Sequence, residues 1–196
     1  MASFLAGLTQ LERGDLKTAV ASFQKAVRAD GDSVPGLAYL AVCYAASGHD
    51  TEATGAWQAA LIEGSDLPQI YDWLGEALLR ADDPDGARSI LEEALGQWPE
   101  DSRFARLQAL LHAKSGNAGE AVRALERYVG GGHDDPDTLF LASEWMYRVH
   151  AAGAVVRTRA EDLVAARAWA DAYVKAGGPK LTLVKQWLDF LEREGG

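Results

Sequence analysis

The sequence predicts an all-α protein made of stacked helical hairpins. Three observations carry that expectation. Like residues recur at an interval of 34 in four successive segments, apolar side chains repeat with a period of about 3.6 on both sides of each turn, and no stretch alternates as a strand would. Alanine is abundant, and the six prolines fall at helix starts or in loops.

The interval is visible in "LERGDLKTAVASFQKAV", "YAASGHDTEATGAWQAAL", "LLRADDPDGARSILEEAL" and "LHAKSGNAGEAVRALERYV". Turn residues Gly14, Gly48, Asp82 and Gly116 are each 34 apart, as are Ala19, Ala53, Ala87 and Ala121. The bulky residues Phe23, Trp57, Leu91 and Leu125 keep the same spacing, as do the small residues Gly7, Ala41, Gly75 and Ala109. A fifth column holds Ala26, Ala60 and Ala94, with Tyr128 as the exception. Small residues before the turn let the first helix approach its partner, and the bulky column fills the space between them. One such hairpin cannot bury its apolar face alone, whereas stacked hairpins bury a continuous core.

The hairpins are expected at about residues 2–34, 35–67, 68–101 and 102–135 of one domain spanning 1–196. A fifth, at about 136–178, pairs "DTLFLASEWMYRVHAAG" with "EDLVAARAWADAYVKAGG", in which Ala165, Trp169 and Ala172 repeat the Ala, bulky, Ala pattern. Ala165 lies 44 after Ala121, so this hairpin carries about ten extra residues around "AAGAVVRTRA". A final helix at 180–194, with Leu181, Val184, Leu188 and Leu191 on one stripe, is expected to cap the stack. No such cap precedes the first hairpin, a pattern expected of a chain excised from a larger parent.

Period, hairpin form and columns together resemble the tetratricopeptide repeat (TPR) over residues 2–136. The best copy is "YDWLGEALLRADDPDGARSILEEALGQWP", where Tyr71, Leu74, Gly75, Leu78, Ala87, Leu91, Ala94 and Pro99 fall on family-type residues. Gln108, His112 and Tyr128 depart from the pattern and put the packing of the fourth hairpin in question. The resemblance implies a right-handed superhelical solenoid of about five hairpins plus the C-terminal capping helix. A second resemblance, in "LAVCYAASGHDTEATGAWQAAL", "LGEALLR", "WPED" and "ADAYVKAGGPKLTLVKQWLDFLE", is to the C-terminal TPR region of bacterial proteins with a von Willebrand factor A-type domain. It implies a partner-binding tail on an adhesion-like parent, which would be exported if that parent is secreted.

Composition removes several classes of function. Lys and Arg total 19 against 29 for Asp and Glu, a net charge of −10, and no basic cluster offsets it, so nucleic acid is not an expected partner. No apolar stretch approaches the roughly 18–20 residues that cross a bilayer, so membrane insertion is not expected. The first helical pattern begins almost at Met1, without a basic region or apolar leader, so no signal peptide is expected; the compartment stays open. The lone Cys43 can make neither an internal disulfide nor a multi-cysteine metal site.

No residue set predicts catalysis, a metal or a cofactor. His49 falls in an interhelical turn and His112 in an aromatic slot, and no activated nucleophile accompanies either. In "GGGHDDPD", His133, Asp134, Asp135 and Asp137 could hold a cation, but a loop followed by a helix N-cap is the expected use. Asp82, Asp83 and Asp85 around Pro84 read the same way. Gly130–Gly132 lack the following Lys-Ser or Lys-Thr of a phosphate loop. Trp57 and Trp169 belong to the bulky column and Trp187 to the cap, while Trp73 sits beside the packing column.

The TPR resemblance implies that the first helices line a concave groove holding a protein or peptide segment. Carried over residue by residue, the groove comprises Phe4, Leu8 and Leu11, then Ala38, Val42 and Ala45, then Asp72, Glu76 and Leu79, then Arg103, Arg106 and Leu110, with Phe140 and Tyr147 extending it. The family's clamp for a chaperone's C-terminal carboxylate needs Lys and Asn where Phe4, Leu8 and Tyr39 stand, so that ligand is not expected. The alternative use is a scaffold that self-associates through its uncapped N-terminal end.

Overall fold

The computed structural model describes residues 2–30 and 34–194, and among them there are eleven α-helices and no strand. The helices are α1 (Ala2–Glu12), α2 (Leu16–Asp30), α3 (Val34–Ala46), α4 (Asp50–Ile62), α5 (Pro68–Arg80) and α6 (Pro84–Gln97). They continue as α7 (Phe104–Lys114), α8 (Ala118–Gly130), α9 (Pro136–Ala151), α10 (Arg159–Lys175) and α11 (Leu181–Glu194). The chain divides into two compact units, residues 1–98 with α1–α6 and residues 99–196 with α7–α11.

The repeated turn has a single stereochemical cause. Gly14, Gly48 and Gly116 have φ of +73°, +75° and +76°, and Asp82 has +62°. Glycine enters this left-handed region without penalty, and Asp is among the few side chains that tolerate it. At each turn the next residue's amide reaches back to close the preceding helix: Asp15 N donates to Gln10 O, His49 N to Tyr44 O, Asp83 N to Leu78 O and Asn117 N to His112 O, each at 2.9 Å. Caps start the helices that follow. Asp83 accepts from Gly86 N at 2.9 Å and Asp135 from Thr138 N at 2.8 Å, each with a proline at the first helical turn. The two Asp-rich loops therefore contribute N-caps.

In the N-terminal unit, α3 packs between α2 and α4, and α5 packs against α4 and α6. The columns that set the repeat are its core: Ala19, Phe23, Ala41, Ala53, Ala60, Ala87 and Ala94 are fully buried and Trp57 is 2% exposed. A β-carbon on Gly7 would stand 2.7 Å from the Phe23 ring, so the absence of a side chain there lets α1 lie on α2.

In the C-terminal unit, α7 and α8 form a hairpin of the same kind despite the departures noted above. Gln108 accepts from Arg127 at 2.8 Å, and Tyr128 stacks on His133 with ring centroids 4.4 Å apart. The extra residues of the fifth hairpin go into longer helices, 16 residues in α9 and 17 in α10, and into the connection at 152–158. Trp169 is buried as expected; Ala166 and Ala170 are each 5% exposed, and Ala165 and Ala172 pack half-buried against the same cluster. Helix α11 covers α9 and α10, burying Val184 and Leu191.

Candidate partner-binding surface

In the N-terminal unit the first helices carry an aromatic and aliphatic face. Phe4 on α1 meets Phe23 edge-on at 5.7 Å and Tyr39 of α3 at 5.8 Å, and Tyr39 stacks on Phe23 at 5.8 Å. Leu8 and Leu11 lie beside them, half-buried against the same cluster, and Val42 and Ala45 are half-buried along α3. These side chains are half covered by the core beneath them, leaving apolar surface to solvent. Ala38 is a correction: it is 2% exposed and belongs to the core. It occupies the same repeat position as Phe4, but its short methyl lies within the packing of α3 between α2 and α4.

On α5, Asp72, Glu76 and Leu79 are half-buried, and Trp73 stands 6.1 Å from Trp57. Behind them Tyr71 ties α5 to α6, its hydroxyl donating to Glu93 at 3.0 Å and accepting from Gln97 at 2.9 Å. Cys43 is fully buried, and that burial pushes its thiol above the ordinary range, the reverse of what a nucleophile needs.

The C-terminal unit presents its own first helix, α7. Arg103, just before it, is held by Asp101 through several hydrogen bonds, the shortest 2.7 Å, and this contact holds the Asp101 carboxyl below its usual range. Ser102 Oγ lies 3.1 Å from His133 Nε2 beside it. Arg106 and Leu110 are half-buried further along α7. Phe140 and Tyr147 are half-buried, with α11 packed against them. Trp187 lies 5.1 Å from Phe140 and 5.8 Å from Tyr147, and Phe190 lies 5.1 Å from Tyr147. The ammonium of Lys180 rests 4.3 Å above the Phe140 ring.

Sequence reading missed the polar centre of this unit. The fully buried Asp162 accepts from His150 Nε2 at 2.9 Å, Val156 N at 2.8 Å and Arg157 at 3.3 Å. Arg157 also pairs with Glu126 at 2.6 Å, and Arg123 donates to the Val156 carbonyl at 3.0 Å. Together these bonds fasten the 152–158 connection to α8, α9 and α10. The available signal was an aspartate at a core position of a helix that follows an insertion. A shallow depression of about 420 Å³ runs along α10, lined by Arg157, Ala160, Glu161, Val164, Ala165 and Ala168, away from the predicted groove residues.

A family model for the tetratricopeptide repeat matches residues 4–68 and 74–136. The chain belongs to the tetratricopeptide repeat family. No curated protein matches it in sequence. Among solved structures, it is similar to pilF of Pseudomonas aeruginosa at 22% identity, with 99% of this chain and 85% of that one covered and a TM-score of 0.76. It is similar to TTC0263, a thermophilic TPR protein of Thermus thermophilus, at 16% identity, 96% coverage of both chains and a TM-score of 0.70. It is also similar to YrrB, a TPR protein with an unusual peptide-binding site, at 17% identity, 94% and 89% coverage and a TM-score of 0.61. At these identities the likeness shows a shared helical-repeat fold. The family match leaves the von Willebrand factor A-type resemblance unsupported. Membership makes this TPR chain a protein–protein interaction module in the general sense, in a family whose repeats generally serve as non-catalytic scaffolds. No helix among the described residues is long and apolar enough to cross a membrane.

Proposed function

We propose that the first-helix face of the N-terminal unit holds a segment of a partner protein, in helical or extended form, without catalysing a reaction on it. The observation that supports this reading is the half-buried apolar row of Phe4, Leu8, Leu11, Tyr39 and Val42 on α1 and α3, which the unit's own core leaves uncovered. Asp72, Glu76 and Leu79, half-buried on α5, would extend this face, and Arg103, Arg106 and Leu110 at and along α7 would form a face of their own in the C-terminal unit. Selection of a random peptide library on the purified chain tests the reading. Selected peptides should lose binding to Val42→Lys and Leu8→Lys variants whose circular dichroism is unchanged. Peptides that bind both variants as they bind the wild type would move the site elsewhere.

Self-association through the first hairpin is a second reading, favoured by Leu5, which is 58% exposed on α1. Light scattering at two protein concentrations separates the two, since only self-association makes the apparent mass rise with concentration.

A further inference from the structure

The charge of this protein is distributed very unevenly. Residues 50–98, from α4 through α6, hold eleven Asp and Glu against two Arg, a balance of −9 out of the chain's −10. Residues 1–49 hold four acidic and four basic side chains and are neutral overall. Both arginines of the acidic stretch are already engaged within it, Arg80 with Asp50 at 3.2 Å and Arg88 with Asp85 at 2.7 Å. The apolar row identified above lies on α1 and α3, and α5 belongs wholly to the acidic stretch.

We infer that the partner segment is an apolar stretch joined at one end to Lys or Arg residues, its apolar part on α1 and α3 and its basic end toward α5. This rests on the reading of the first-helix face given above and adds the chemistry and direction of the ligand. Apolar burial supplies grip without orientation, because it has no preferred direction. The acidic excess from α4 through α6 supplies the orientation and speeds encounter with cationic segments. The excess is summed over many exposed carboxylates, among them Glu52, Glu63, Asp66 and Glu92, so it does not depend on the local pairing of any one groove residue. The same sign of charge disfavours an acidic tail as ligand.

The peptides selected above decide the matter through their composition and kinetics. Binders should be net positive, with Lys and Arg gathered at one end of an apolar run. Changing those Lys and Arg to Glu should weaken binding by about tenfold or more, chiefly through the association rate. Added salt should slow association, and the variant Glu52→Gln/Asp66→Asn/Glu92→Gln should do the same with the helical signal preserved. Neutral or acidic peptides that still depend on Val42 would overturn the charge inference and leave the face standing. Positive peptides that ignore Val42→Lys would overturn both.

Discussion

His150 and Asp162 meet at 2.9 Å, with side chains 4% and 0% exposed, where the connection between α9 and α10 folds back onto the helices. The carboxylate also takes the Val156 amide and the Arg157 guanidinium, and these groups can only donate, so one acceptor satisfies three donors. Asp162→Ala should lower unfolding free energy by about 3–5 kcal/mol, because it leaves buried donors without a partner. Urea denaturation measures the loss, and hydrogen exchange at the Val156 amide localises it. An unchanged midpoint would show that the centre contributes nothing to the fold.

Gly7 offers a test of close approach. An added methyl would stand 2.7–2.8 Å from the fully buried Phe23 ring, which cannot swing aside. Overpacking of this kind costs about 1–3 kcal/mol, while replacing glycine inside a helix gains up to about 1 kcal/mol. Gly7→Ala should therefore destabilise on balance, whereas in a Phe23→Leu background it should become neutral or favourable. The fourth hairpin already places Ala109 and Leu125 in one cluster. Thermal melts of the two single variants and the double variant complete the cycle.

Trp57 is 2% exposed, yet its indole nitrogen has no hydrogen-bond partner. Trp57→Ala should remove about 3–5 kcal/mol, as for other buried aromatics. Trp57→Phe should lose far less, because deleting an unsatisfied buried donor recovers about 1–3 kcal/mol that partly offsets the lost area. Equal losses in the two variants, read from denaturation midpoints, would contradict this.

The contact of Asp101 with Arg103 predicts a pH dependence. The folded carboxyl lies below its unfolded value of about 3.9, so the pair stabilises above that value and loses its effect as pH falls through the depressed folded value. Arg103→Ala should cost about 0.5–1 kcal/mol near neutral pH, and the difference from wild type should shrink in acid. Urea unfolding of both proteins across the acidic range provides the comparison.

The columns that recur every 34 residues were legible in the sequence because each answers a local demand repeated in every hairpin. Gly14, Gly48, Asp82 and Gly116 meet a left-handed turn, Ala19 and its echoes a close helix contact, and Phe23, Trp57, Leu91 and Leu125 the space between. The charge imbalance between residues 1–49 and 50–98 is equally a property of the sequence. Exposure of the candidate face was not legible, since a side chain's cover comes from helices distant in the chain. Phe4 and Ala38 share a repeat position, yet one is half-buried and the other is core, and Phe140 and Tyr147 take α11 as a packing partner. The role of Asp162 lay further from reach, because it depends on how an insertion that matches no repeat column folds back onto α8, α9 and α10. Periodicity reports what each helix must bury, and the tertiary structure alone decides which neighbour buries it.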